Sequence, residues 1–227
     1  VLAPGGKILA TLNNPPGSLE QGYDPEVGIY VGSSARLDAR GVSILTPNDQ
    51  GFREGRVLDG GTISLSARRG RIELAPGSVL SVAGTATELD LPGATPTVVR
   101  QPTLVASRGG RIDLAAPEGL RLAGALYGAA GAQSAEGGSL ALGVSRLRGF
   151  DAGPELLPTY PTGPRRIQVG NAPADAAVNG SAAFDPAQLA AGGFDSLILQ
   201  ADAEILFNSD AALSVRNRLE LQAPNLR

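Results

Sequence analysis

The chain has 227 residues, with 19 Lys and Arg against 22 Asp and Glu, and no histidine, cysteine, methionine or tryptophan. Those absences exclude a Ser-His-Asp triad, a Cys-His pair, an imidazole or thiolate metal site and a disulfide framework, and a net charge of −3 lacks the basic excess of a nucleic-acid binder. Hydrophobic residues make up 42% but aromatics only 4%, so the core is built from Leu, Ile, Val and Ala, and 31 glycines with 17 prolines mark frequent turns.

In chain order, a truncated motif opens the sequence at Gly5-Gly6-Lys7-Ile8 and returns in full as Gly60-Gly61-Thr62-Ile63-Ser64-Leu65-Ser66-Ala67. Two short units follow, Ile72-Glu73-Leu74 and Leu80-Ser81-Val82, each with two in-phase apolar residues around a polar one, the mark of a half-buried strand. The motif recurs at Gly109-Gly110-Arg111-Ile112-Asp113-Leu114, followed by Leu120-Arg121-Leu122, and again at Gly137-Gly138-Ser139-Leu140-Ala141-Leu142. After Ile167-Gln168-Val169, a fifth copy with two extra residues reads Gly192-Gly193-Phe194-Asp195-Ser196-Leu197, and Leu213-Ser214-Val215 and Leu219-Glu220-Leu221 close the series. Asp185 as N-cap, Pro186 at the first helical position and Gly192 as a stop predict one short helix near residues 185–191.

Strand onsets recur about every eight residues. Hairpins would favour Asn-Gly or Asp-Gly turns, and only Asp59-Gly60 and Asn179-Gly180 occur. Three such steps give a turn of about 24 residues, the size of one coil of a parallel solenoid in which each strand pairs with its equivalent one coil later. The reading is an all-β, right-handed parallel β-helix spanning residues 1–227 as one segment. Insertions leave the coil at 13–25, 46–56, 85–103, 146–164 and 171–192, and about seven to nine coils remain. Corner glycines serve a positive φ or a close backbone approach.

The Gly60–Ala67 unit, Pro76-Gly77-Ser78-Val79-Leu80-Ser81-Val82-Ala83-Gly84 and Ala190-Ala191-Gly192-Gly193-Phe194-Asp195-Ser196-Leu197 resemble the filamentous haemagglutinin family of large bacterial exoproteins. The resemblance runs over most of the chain and is weakest in the insertions. It implies a β-helical shaft in a secreted or cell-surface, adhesin-like protein of a Gram-negative bacterium. It also implies export by an outer-membrane two-partner secretion transporter and a host-cell or glycan receptor as partner. The family's N-terminal secretion motif does not occur here, so a position downstream of it is expected.

No catalytic, metal or cofactor residues are expected, and no run is long enough for a membrane span. Arg68, Arg69 and Arg71 form the densest basic cluster, with Arg165-Arg166 second. They are candidates for a sulfated glycan or another anionic surface, or else a solvated turn. Asp195, with Asp202 and Glu204, is the candidate acidic group for a calcium or carbohydrate site, unless Asp195 caps a turn. Tyr23, Tyr30, Tyr127 and Tyr160 are candidates to stack on sugars or to cover the core. Two other readings stand beside the shaft. A β-helical polysaccharide lyase or hydrolase would need paired carboxylates on one face, and a β-sandwich carbohydrate-binding module would show antiparallel pairing.

Overall fold

The computed structural model describes residues 1–13, 27–46, 48–93, 100–145, 164–170, 180–209 and 211–227. The expected insertion at 13–25 therefore lies almost wholly outside the described residues, as do Tyr23, Tyr160 and nearly all of 146–164. The chain lays down β1 (Lys7–Leu12), β2 (Gly28–Val31) and β3 (Arg36–Asp38), each in a different sheet, and then makes an antiparallel hairpin of β4 (Val42–Leu45) and β5 (Gly55–Leu58). It repeats the circuit with β6 (Thr62–Ala67), β7 (Arg71–Leu74) and β8 (Val79–Ser81), followed by a second hairpin of β9 (Ala86–Leu91) and β10 (Gln101–Ala106). A third circuit holds β11 (Arg111–Ala115), β12 (Leu120–Leu122) and β13 (Ala125–Tyr127). The remainder is β14 (Ser139–Val144), β15 (Arg166–Val169), β16 (Ser181–Phe184), α1 (Pro186–Gly192), β17 (Ser196–Ala201), β18 (Glu204–Phe207), β19 (Arg218–Gln222) and β20 (Asn225–Leu226).

Three parallel sheets result. The first runs β1-β6-β11-β14-β17-β19, the second β2-β7-β12-β16-β15-β18-β20 and the third β3-β8-β13. Pairing is in register, so like residues stack: Ile8, Ile63, Ile112, Leu140 and Leu197 form one inward ladder, and Ala10, Leu65, Leu114, Leu142 and Leu199 the next. From Ile63 and Leu65 onward these side chains are buried, as are Ile72 and Leu120 of the second sheet and Leu80 and Leu126 of the third. Burial of each large aliphatic side chain is worth about 1.5–3 kcal/mol, and these ladders make up most of the core.

The corner glycines divide into two kinds. Between the first and second sheets, Gly70 and Gly119 have φ of 98° and 126°, conformations that a Cβ would strain. At the entry to the first sheet the constraint is proximity. A Cβ on Gly61 would lie 1.8 Å from the Gly6 carbonyl oxygen, on Gly110 1.9 Å from that of Gly61, and on Gly138 2.3 Å from that of Gly110. The carbonyls of Gly6, Gly61 and Gly110 in turn accept from the amides of Thr62, Arg111 and Ser139. The Gly-Gly motif is thus the footprint of backbones stacked at their closest approach.

Several expectations need correction. In the fifth copy the two extra residues displace the glycine pair, while Leu197 and Leu199 keep their places opposite Leu140 and Leu142. Ser196 pairs with Ser139, which puts Asp195 where Gly138 sits one strand earlier. Gly193 instead ends α1 in the left-handed conformation, φ 69°, with Asp185 capping the other end by accepting from Ala187 N at 2.8 Å. Within the stretch 171–192, β16 belongs to the second sheet, because Ala182 and Phe184 present the same inward period as Ile167 and Val169. β15 precedes β16 in sequence yet lies beyond it in the stack, so the winding steps back once. Leu213-Ser214-Val215 is not a strand, although Leu213 and Val215 pack on the core. Among the described residues the two long sheets hold six and seven strands, at about 4.8 Å each, which is at the lower end of the seven to nine coils expected. Among the described residues the third sheet ends at β13, and α1 lies against that end: Gly128 N, just past β13, donates to Gly192 O at 2.8 Å, and Gln188 Nε2 donates to Leu122 O at the end of β12 at 2.7 Å.

Two outcomes are expected. Thr11 and Ser66 face each other outside the first sheet, with hydroxyls 3.3 Å apart. Since the chain has no cysteine, the double variant T11C/S66C should form an intramolecular disulfide under mild oxidation, read by mass spectrometry, and failure to cross-link would contradict this pairing. Leu114→Asp should abolish cooperative melting because it buries an unpaired charge, whereas Leu114→Ala should lower unfolding free energy by about 2–5 kcal/mol in denaturant titrations.

Candidate functional site

The basic cluster does not converge on solvent. Arg69 is buried at the corner between the first and second sheets, its Nε 2.7 Å from Glu118 Oε1, and Arg165 Nη2 reaches the same oxygen at 3.6 Å. Glu118 is only 1% exposed, and Arg165 Nε also donates to Pro117 O at 2.9 Å. This triad ties together corners of different circuits and leaves Arg69 inaccessible to an external anion. Arg71 points outward from β7, donates from Nε to Tyr30 Oη at 3.2 Å and lies 5.3 Å from the centre of that ring. Arg68 is half-buried at the end of β6. Glu118 escaped the sequence reading because a lone acid reads as surface. The available signal was its place in the turn equivalent to Arg69-Gly70, one circuit later.

Asp195 stands at a different corner. Its Oδ2 accepts from Gly137 N at 2.6 Å and lies 3.6 Å from Arg216 Nη1, so it caps the glycine stack. Asp202 Oδ1 accepts from Ser145 Oγ at 2.6 Å, while Glu204 is paired with Arg166 at 3.6 Å and Arg227 at 3.8 Å. The three acids each have their own partner and do not form one group.

The site with a built shape is one that sequence reasoning left as excursions. The β4–β5 and β9–β10 hairpins meet side by side: Asp90 N donates to Arg53 O at 2.9 Å, and Arg53 N donates to Asp90 Oδ2 at 2.6 Å. Arg53 Nη1 holds Glu88 at 2.9 Å and Nη2 holds Asp90 Oδ1 at 3.3 Å. Arg100 lies 5.2 Å from the Phe52 ring centre and pairs with Glu54 at 2.6 Å, and Asn48 Nδ2 donates to the same Glu54 oxygen at 2.7 Å. Between the hairpins opens a cleft of about 480 Å³ with Ile44, Leu89 and Leu91 on its walls and the exposed Arg56 at its border. The alternation in Ala86-Thr87-Glu88-Leu89-Asp90-Leu91 was the readable signal for this platform.

The Arg53 amide and then its guanidinium hold the Asp90 carboxyl below its ordinary value, while the guanidinium's hydrogen bonds to Glu88 and then to Asp90 raise Arg53. On the third sheet, Asp38 is lowered chiefly by its hydrogen bonds to Arg40, against a smaller opposing effect of burial. A carboxylate held this way is a fixed acceptor, the reverse of the raised pKa that a general acid needs.

Comparison of the chain with protein-family models, curated proteins and solved structures finds no match. No helix among the described residues is long and apolar enough to cross a membrane.

Removing the Glu118 carboxylate withdraws the buried anion that the Arg69 and Arg165 guanidiniums share, so Glu118→Ala should cost about 3–5 kcal/mol in denaturant titrations; an unchanged midpoint would exclude the triad. The pH dependence follows from the lowered carboxyls. Their contribution is complete above the ordinary value of 3.8 and is lost as pH falls through the lower folded values. The D38N/D90N variant should therefore show a shallower loss of melting temperature with acid than the native chain in scanning calorimetry.

Proposed function

We propose that the chain is a segment of a right-handed parallel β-helical shaft, structural and adhesive rather than catalytic. We place it in a secreted or cell-surface exoprotein of the filamentous haemagglutinin type, from a Gram-negative bacterium. The observation that carries this reading is the first sheet, in which six strands stack parallel and in register with unbroken aliphatic ladders beneath them. Such a ladder resists bending and shear through hydrogen bonds repeated at every step, which is the property a spacer needs. The two hairpins leave the shaft side by side and supply a rigid polar surface where recognition can be placed without disturbing the ladders.

The charge arrangement supports a non-catalytic role. Along the outer faces, acids are matched with arginines, as in Glu73 with Arg71 and Arg121 and in Asp113 with Arg111. Glu88 and Asp90, two carboxylates on one face of β9, are bridged by Arg53. Export through a two-partner transporter fits a chain without cysteine, since no disulfide can block threading.

The test uses the purified chain displayed on beads. Retention of the beads on glycan-bearing cell surfaces, with no reducing ends or unsaturated sugars released from a panel of polysaccharides, is the expected result. Release of such products would overturn the non-catalytic reading, and beads that wash off like bare ones would overturn the adhesive one.

A further inference from the structure

The outer face of the third sheet carries a second groove, of about 300 Å³, bordered by Arg36, Asp38, Arg40, Ser81 and Tyr127. Asp38, Ser81 and Tyr127 occupy one register position on β3, β8 and β13, so they lie in a row about 10 Å long, set by two strand spacings. Tyr127 is 43% exposed although it stands on a regular strand. At the other end of the row, Asp38 is locked by Arg40, whose Nε lies 2.9 Å from both carboxylate oxygens and whose Nη2 lies 2.7 Å from Oδ2. The backbone amide of Arg40 donates to the same carboxylate at 3.1 Å. That pair is neutral overall and rigid, and the Arg40 guanidinium remains largely exposed. Beside it, the Arg36 guanidinium makes no hydrogen bond or ion pair among the described residues and acts on the Asp38 carboxylate only through space, so two arginines against one aspartate leave the groove with a net positive charge.

We propose that this groove binds an acidic saccharide. The apolar face of one pyranose ring lies on the Tyr127 ring. Ring hydroxyls accept from Arg40 and exchange hydrogen bonds with Ser81 Oγ, which has no protein partner among the described residues. A carboxylate or sulfate on the sugar meets Arg36. Each part answers a different feature of the ligand: an aromatic face for C–H groups, fixed planar donors for hydroxyls and a cation for the anionic group. The groove volume sits at the small end of ligand pockets, about 300–1,000 Å³, and suits one or two sugar rings rather than a long chain. The platform is assembled only when three consecutive circuits stack, because each contributes one strand of the row.

The inference rests on the adhesive reading of the shaft and names a ligand class for it. It is tested by calorimetric titration of the full chain with three probes: a hyaluronan tetrasaccharide carrying carboxylates, a heparin tetrasaccharide carrying sulfates, and neutral cellotetraose. Binding of at least one acidic probe, with cellotetraose weaker by about tenfold or more, is expected. Preference between the two acidic probes identifies which anion Arg36 takes. Tyr127→Ala should weaken the acidic probe about tenfold while Tyr127→Phe retains binding, and Arg36→Ala should bring the acidic probe down to the neutral one. Circular dichroism of each variant verifies that the sheets persist. Equal binding of acidic and neutral probes, native affinity in Tyr127→Ala, or no binding of either acidic probe would each overturn the proposal. In the last case, continued retention of chain-coated beads would show that adhesion stands and resides elsewhere, as between the hairpins.

Discussion

Parallel pairing in register places each side chain of the long sheets directly over its equivalent, about 4.8 Å away. Every other property of the molecule follows from satisfying that constraint at each position around the circuit. Inside, it demands side chains that stack on their own kind, and Ile63 on Ile112 or Leu65 on Leu114 meets the demand with no polar atom to satisfy. At the corners entering the first sheet, backbones come close enough that Gly61 and Gly110 admit no Cβ. The scarcity of aromatic residues has the same cause, since a wide ring in one rung must be accommodated by the rungs above and below. Phe184 is fully buried where its neighbour across the sheet is the smaller Val169.

Charge is handled by the same stacking rule. Outward positions one rung apart juxtapose acids and arginines, as Glu73 with Arg121, so that like charges do not pile up along the stack. The buried triad of Arg69, Glu118 and Arg165 is the inward counterpart. It does little for net stability relative to an apolar corner of equal volume, but it penalises any slip in which Glu118 fails to meet its arginines. That penalty falls near the place where β15 and β16 reverse their order in the second sheet, where two strands of matching period compete for neighbouring rungs.

The departures from the repeat shape the clefts of the surface. Two hairpins leave the circuit after the third-sheet strand and brace each other through Arg53 and Asp90. The helix α1 lies against the β13 end of the third sheet, whose three strands among the described residues set the row of Asp38, Ser81 and Tyr127. The groove on the third sheet and the cleft between the hairpins therefore belong to different levels of the architecture, one made by stacking and the other by escape from it.

The repeated Gly-Gly unit, the alternation of apolar residues and the N-cap at Asp185 were local signals, and they determined the strands, their inward faces and the helix, whose stop falls at Gly193, one residue beyond the expected Gly192, because period and turn chemistry act over a few residues. What lies across the stack was decided by tertiary structure alone. The same sequence pattern serves Asp195 and a corner glycine, β15 and β16, or a buried Arg69 and an exposed Arg36. Which rung a segment occupies depends on pairing with residues 15 to 57 positions away. The partner of each charge follows from that rung, and no local preference encodes it.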